Sequence, residues 1–199
     1  MKARRGAFTL AELLVYIAVL SVFTTALYSV LILSMRHFRL SEARSDSMQT
    51  GLKAVSAINR SLASGATSTM QVQLNPPAVM FLSAEPPLGS SFAINSDGEL
   101  LWQKWVCYHY QPQNRRLMMS FQPITASPDL PTAPTFATMV ALPSRVVARD
   151  ITNMELTLIN SGTVSYTITT GVVPSATSSL VGKQNLVGVT TSGYFTLRN

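Results

Sequence analysis

Glu12 is the only acid in a long amino-terminal apolar run, and it stands four residues after Phe8 in Phe8-Thr9-Leu10-Ala11-Glu12. Behind it lie a cationic stub, Lys2, Arg4 and Arg5, and a small-residue pair, Gly6-Ala7. The chemistry such an acid can do is ion pairing. An ionisable side chain at the edge of a membrane-length segment costs free energy unless something neutralises it, so it marks either a helix that snorkels or one built to find a partner within the membrane.

The rest of the chain offers little for catalysis: one cysteine, two histidines and nine acids in 199 residues. Cys107 and His109 alternate on a strand pattern and share a face, which is half of a metal site at most, since structural zinc takes four ligands and no second cluster supplies them. As a nucleophile and base they lack an orienting third group and an oxyanion device. No serine after Ser175 sits in a nucleophile elbow, and the scattered acids form no Asp-x-Asp calcium loop. The sequence therefore predicts no catalytic residue, no metal, no cofactor and no enzyme activity.

Nucleic acid is the competing ligand. Arg36, Arg39 and Arg44 follow the apolar run, and Arg115-Arg116 lies on a turn near Tyr108 and Tyr110. Phosphates want clustered cations, and aromatic rings can stack on exposed bases. A simpler assignment puts the first three where a helix leaves a bilayer and the pair on a solvated hairpin. The formal charge is +6; the three cations of the stub account for half, and the remaining +3 does not argue for nucleic acid. Trp102 and Trp105 read as core or interface residues rather than a sugar platform.

These residues need elements to hold them. Leu13 to Met35 is 23 residues without a charge, enough at about 1.5 Å per residue to cross a hydrocarbon layer of roughly 30 Å. A secretory signal has a shorter apolar core with a small-residue cleavage site after it; here the core is followed by Arg36, His37 and Arg39. A plain signal anchor would explain the basic stub by the positive-inside rule but requires neither Glu12 nor the Phe-Thr-Leu register. The eleven prolines all fall between Pro76 and Pro174, which permits one uninterrupted helix early and forbids long ones later. That helix is predicted from Phe8 to about Ser64, near 85 Å by rise per residue. Met48, Leu52, Val55, Ile58 and Leu62 recur at helical spacing and are the predicted packing stripe of its second half. Gly51 is a weak point there, and Ser64-Gly65 a stop.

Beyond residue 65 the chain reads as one domain of strands and turns. Leu100 to Trp102 and Trp105 to Tyr110 are aromatic and branched after an Asn95-Ser96-Asp97-Gly98 turn. A turn at Gln111 to Asn114 returns the chain through Leu117 to Phe121. Met154 to Ile159 and Thr163 to Thr169 flank Asn160-Ser161-Gly162 as a second hairpin. Pro123 to Pro143 and Gly171 to Gly193 are predicted loops, and Tyr194 to Leu197 an edge strand. With a single cysteine, no intrachain disulfide can form.

The segment Arg4 to Leu20, with its Phe8-Thr9-Leu10-Ala11-Glu12 core, resembles the amino-terminal signal of type IV prepilins and type II secretion pseudopilins. The resemblance implies an α+β, pilin-like fold: one long amino-terminal helix packed on an antiparallel β-sheet domain. It divides the chain into a leader, 1–7, removed by prepilin peptidase; a transmembrane and filament-core helix, 8–35; an amphipathic continuation, 36–64; and a globular domain, 65–199. Gly6, Ala7 and Phe8 form the cleavage site. The family's usual glycine before the phenylalanine is here Ala7, with Gly6 one step earlier. Cutting after Ala7 keeps the spacing from the new terminus to Glu12, whereas cutting after Gly6 lengthens it by one, so the Ala7–Phe8 bond is the expected one.

The same resemblance implies N-methylation of Phe8 and an assembly role for Phe8, Thr9, Leu10 and Glu12, with the acid pairing to the terminal amine of a neighbouring subunit. Implied partners are other pilins or pseudopilins, the peptidase and an inner-membrane assembly platform. The implied location is the inner membrane, single-pass with a cytoplasmic amino terminus, and then a pilus or pseudopilus. Major pilins often close a C-terminal loop with two cysteines, which this chain lacks. Val106-x-Tyr108-x-Tyr110 with Arg116-Leu117-Met118, then Val146 to Leu156, then Leu197-Arg198-Asn199, are similar in order and spacing to the minor pilin W and pseudopilin J group. That implies a low-copy structural subunit that initiates or caps the filament. The alternatives are a DNA-binding minor pilin of a competence filament and a plain membrane-anchored binding domain.

Overall fold

A computed structural model describes residues 9–86, 92–160, 163–172 and 187–196. The chain divides into two compact units, Met1–Glu42 and Ala43–Asn199. Helix α1, Leu10–Leu62, contributes to both. It runs through the proline-free part of the sequence and ends where Ser64 and Gly65 donate their N–H groups back to Ser61 and Leu62 at 3.2 and 3.0 Å.

In the first unit α1 is exposed on nearly every side, and its best membrane-length window has none of its residues buried within the protein. By length and composition this helix suffices to cross a membrane. Its hydroxyls do not break the apolar character, because Ser21, Thr24, Thr25 and Ser29 each donate to a carbonyl three or four residues back in the helix, at 2.7 to 2.9 Å.

The second unit holds the rest of α1, two antiparallel sheets and a short helix. Strands β1 (Gln71–Leu74), β2 (Pro77–Ser83), β3 (Trp102–Gln111), β4 (Arg116–Ser127) and β5 (Ser144–Ala148) form the larger sheet in that order. Strands β6 (Ile151–Asn160), β7 (Thr163–Val172) and β8 (Val187–Thr196) form the smaller one. Helix α2 is Phe136–Ala141, its first turn capped by Thr135, which accepts from the Thr138 N–H. Alternation sorts the larger sheet into two faces. Val79, Phe81, Val106, Tyr108, Leu117 and Met119 share one core with Ala54, Ile58 and Leu62 of α1 and with Ile151, Met154, Val164, Ile168 and Phe195 of the smaller sheet. Met80, Leu82, Trp105 and Cys107 point the other way, into a second cluster closed by Met139 of α2.

This is the predicted α+β layout of one long amino-terminal helix and antiparallel sheets. The alternation of Val106, Tyr108 and Tyr110 against Cys107 and His109 holds, as does the β6–β7 pairing; the Ser161-Gly162 turn lies outside the described residues. Four expectations are corrected. The expected stripe of α1 holds at Ile58 and Leu62, with Val55 partly buried on the same core, but earlier turns bury Ala43, Ser47, Gly51 and Ala54 while Met48 and Leu52 are about half exposed, at 53% and 51%. Small side chains let the smaller sheet approach closely enough for Thr170 Oγ1 to donate to the Ser47 carbonyl at 2.8 Å, so size rather than hydropathy selects the face. The region from Pro123 to Pro143 is not mostly loop, since β4 runs to Ser127 and α2 follows. The Gly171 to Gly193 region contributes the end of β7 and residues 187–193 of β8, because a Thr-rich uncharged run pairs well on a pleated surface. Leu100 makes an isolated bridge with Ile94, and β3 proper starts at Trp102. Strands β1 and β2 had no counterpart in the sequence reading; β2 is buried on both faces and so shows no alternation.

Candidate functional site at the amino-terminal end of the long helix

Gly6, Ala7 and Phe8 lie outside the described residues; the site is visible from Thr9 onward. Thr9 and Glu12 occupy the two ends of the first helical turn and bind each other reciprocally. The Glu12 N–H donates to Thr9 Oγ1 at 3.3 Å. The Thr9 N–H and the Thr9 hydroxyl donate to Glu12 Oε2 at 3.0 and 3.1 Å. The helix ladder begins with the Leu13 N–H on the Thr9 carbonyl at 3.2 Å. This is a capping box, in which the first and fourth residues of the turn satisfy each other's orphan backbone donors. A carboxylate near a helix amino terminus is also favoured by the helix dipole. Its signature, Thr-x-x-Glu ahead of an apolar run, is legible in the sequence, where the expectation for Glu12 is an ion pair and not a cap.

The geometry leaves Glu12 with unused capacity. A carboxylate has about four acceptor positions, and both contacts from Thr9 fall on Oε2. Glu12 is solvent-exposed in the isolated chain, so a donor can reach the carboxylate without dismantling the cap. Leu10, Leu13, Leu14 and Val15 around it are all more than half exposed, at 78%, 55%, 58% and 61%. The arrangement can therefore fix an acid in a defined rotamer at the edge of an apolar surface and offer it to a cation.

Arg36 and Arg39 are exposed on α1 in the first unit and Arg44 is exposed in the second; the remaining sequence-marked residues lie in the second unit. Arg115 adopts a left-handed conformation with φ 52° after the tight turn Pro112–Asn114, and its guanidinium donates to the Gly171 carbonyl. The same corner is knitted by the Ile151 N–H on the Arg115 carbonyl at 3.0 Å and the Gly171 N–H on the Asp150 carbonyl at 2.8 Å. Arg115 thus ties the larger sheet to the smaller one, while Arg116 is half-buried beside it. Tyr110 directs its hydroxyl to the Ile151 and Thr152 carbonyls, each at 3.0 Å. Tyr108 is held by the Ser61 hydroxyl at 2.6 Å and the Ala57 carbonyl at 3.1 Å. Both rings are buried, and burial raises both phenol pKa values. Neither can stack on a base in this arrangement.

Cys107 and His109 share a face as read, and both are fully buried. Burial pushes the Cys107 thiol up to about 12, against a smaller opposing effect of the Ser120 hydroxyl, so it stays a thiol at neutral pH and is not a ready nucleophile. Burial lowers the His109 pKa. Among the described residues no three His, Cys, Asp or Glu side chains gather where they could hold a metal ion. Trp105 is a core residue and Trp102 packs against the same cluster.

Residues 2–28 match the family model of the prokaryotic N-terminal methylation motif. No curated protein and no solved structure matches the chain at a significant level. The matched segment takes in the basic stub, the capping box of Thr9 and Glu12 and the first part of the apolar helix, and it supports a type IV pilin-like protein anchored by its amino-terminal helix.

Proposed function

We propose that this protein is a minor pilin or pseudopilin, a structural subunit that helps to initiate or cap a type IV pilus or a type II secretion pseudopilus and turns over no substrate. The observation that carries the reading is the methylation motif at residues 2–28, continuous with the charge-free stretch Leu13 to Met35. The lone cysteine, which cannot close the two-cysteine loop of many major pilins, supports a low-copy rather than a major subunit.

In this reading the basic stub holds the precursor with its amino terminus in the cytoplasm, and the peptidase cuts between Ala7 and Phe8. The new Phe8 amine, methylated, then pairs with Glu12 of an adjoining subunit. In a low-dielectric surrounding an unpaired Glu12 is penalised by several kcal/mol, so helices settle in the register that pairs it. The capping box holds the carboxylate ready: Thr9 fixes one oxygen and leaves the remaining acceptor capacity to the incoming amine.

The test is intact mass and amino-terminal sequencing of the protein recovered from membranes, with and without prepilin peptidase. A mature chain starting at methylated Phe8 only when the peptidase is present is the expected result. A chain still starting at Met1 in a peptidase-competent host overturns the assembly mechanism and leaves a membrane-anchored β-rich domain.

A further inference from the structure

The face of the larger sheet turned away from α1 is largely apolar but holds several polar groups beneath an apolar cover. Along β3 it carries Trp105, Cys107 and His109; directly across on β4 stand Gln122, Ser120 and Met118. Trp105 and His109 are buried, at 2% and 1% exposure. Yet Trp105 Nε1, Gln122 Oε1 and both ring nitrogens of His109 have no hydrogen-bond partner among the described residues. The cover is the segment 128–143, in which α2 packs on β3 and β4. Its Met139 is fully buried in one cluster with Trp105, Cys107, Ala78, Met80 and Leu82, against which Ala133, Phe136 and Leu142 also pack. Ala78, the β2 residue directly opposite His109, belongs to that same cluster.

Buried donors and acceptors without partners oppose closure, because water would satisfy each of them if the cover lifted. Apolar contact holds the cover down. His109 makes the balance depend on protons. Among the described residues no acid stands ready to stabilise an imidazolium there. Its row across the sheet is Gln73, Ala78, Met118 and Val146. Strand β1 carries no charge, β2 carries none, and α2 carries none. On β4 the charged residue of the same face is the cation Arg116, diagonal to His109. The ion pair of Lys104 with Glu85 at 3.1 Å belongs to the opposite parity of β3, Arg145 of β5 donates to Met119 on the other face, and Asp129 of the cover is exposed.

We propose that segment 128–143 is an acid-opened cover, released from the Trp105–Cys107–His109 face when His109 takes up a proton. Opening gives the imidazolium water on the side where the closed state gives it none, and it exposes Trp105, Cys107 and the underside of Met139 while the α1-facing core stays closed.

The chain carries its own reporter, since Cys107 is its single cysteine and lies fully buried under the cover. The test is labelling of Cys107 in the full-length protein in detergent with an aromatic disulfide that reacts in acid, each rate divided by that of a free thiol at the same pH. The normalised rate should rise as pH falls from 7.5 to 5, by up to about 30-fold for a histidine of ordinary pKa in the open state. The rise should vanish in His109→Gln. A thiol placed on the α1-facing core, Val79→Cys in a Cys107→Ser background, should stay protected throughout. A pH-independent rate, no labelling at any pH, a rise retained in His109→Gln, or parallel labelling at position 79 each overturns the proposal. Should His109→Gln fail to fold, His109→Leu serves in its place, and the comparison of positions 107 and 79 in the otherwise native chain still separates local from global opening.

Discussion

Gly51 on α1 faces Thr191 on β8 so closely that a Cβ at position 51 would lie 3.1 Å from Thr191 Oγ1. Glycine inside a helix costs about 1 kcal/mol relative to alanine, and that cost is what the close approach of helix and sheet requires. Ser47, one turn earlier, makes the same approach through its backbone, accepting the Thr170 hydroxyl at 2.8 Å.

Gly51→Ala should therefore change stability by less than about 1 kcal/mol, with the helix-propensity gain offset by crowding at Thr191. Gly51→Leu should lose about 2 kcal/mol or more, because its side chain has no room. Combining Gly51→Ala with Thr191→Ala should recover part of the propensity gain, giving a non-additive cycle in denaturant unfolding. Simple additivity, or a tolerated leucine, would show that the helix does not approach β8 this closely.

The same contact shows where sequence pattern ends. The apolar spacing that includes Met48 and Leu52 is real, but hydropathy cannot tell a helix face that meets water or a neighbour from one that meets a sheet at short range. The face is chosen by Gly51, Ala54 and Ala43, whose small size is visible only once β7 and β8 exist. Those strands were half legible: β6 and β7 announce themselves by branched residues around Asn160-Ser161-Gly162, while β8 hides in a Ser/Thr/Gly-rich run whose pairing partner decides its conformation. At the amino-terminal site the situation reverses. The motif lies within a single helical turn, so residue identity and spacing suffice, and the structure adds only the reciprocal bonds of Thr9 and Glu12. Arg115 shows the intermediate case. Its place on a turn was readable, but its donation to Gly171, 56 residues on, was not.

Cys107 gives an alkaline signature. Its thiol is raised from 9.0 to about 12 by burial, so the folded state keeps a proton that the unfolded state releases. Stability contributed by the neutral thiol is fully present below pH 9 and is lost as pH rises from there toward 12, at about 1.4 kcal/mol per pH unit. Cys107→Ala should be less stable at neutral pH, through lost packing, but should show a shallower decline between pH 9 and 10 in chemical denaturation. An unchanged slope would place the thiol in contact with water.

In the proposed maturation, Ala7 sets the cleavage register. Ala7→Leu should block maturation, so that the precursor mass persists in a peptidase-competent host, whereas Ala7→Gly should be processed at least as well as the native chain. Gly6→Ala should leave processing intact if the bond cut is the one after Ala7. Normal maturation of Ala7→Leu, or a block in Gly6→Ala, would move the bond to the position after Gly6.

Thr9 and Glu12 separate two roles that a single substitution confounds. Glu12→Leu removes both the capping carboxylate and the acid proposed to be offered to a neighbour; Thr9→Val removes only the hydroxyl bonds of the cap and keeps the Thr9 N–H on Glu12. Losing an N-cap hydroxyl costs about 0.5 to 2 kcal/mol of local helix stability, which a helix of 53 residues should survive. Glu12→Leu should therefore insert into the membrane and be cleaved, yet join filaments poorly, with incorporation down by an order of magnitude or more. Thr9→Val should reduce incorporation only a few-fold, through looser placement of the carboxylate, and Thr9→Ser, which keeps the hydroxyl, should restore it. Glu12→Gln is the sharper control, since the amide oxygen can still accept from Thr9 but cannot balance a terminal ammonium. If Glu12→Gln assembles as well as the native chain, the capping box is the whole function of residue 12 and the intersubunit ion pair falls.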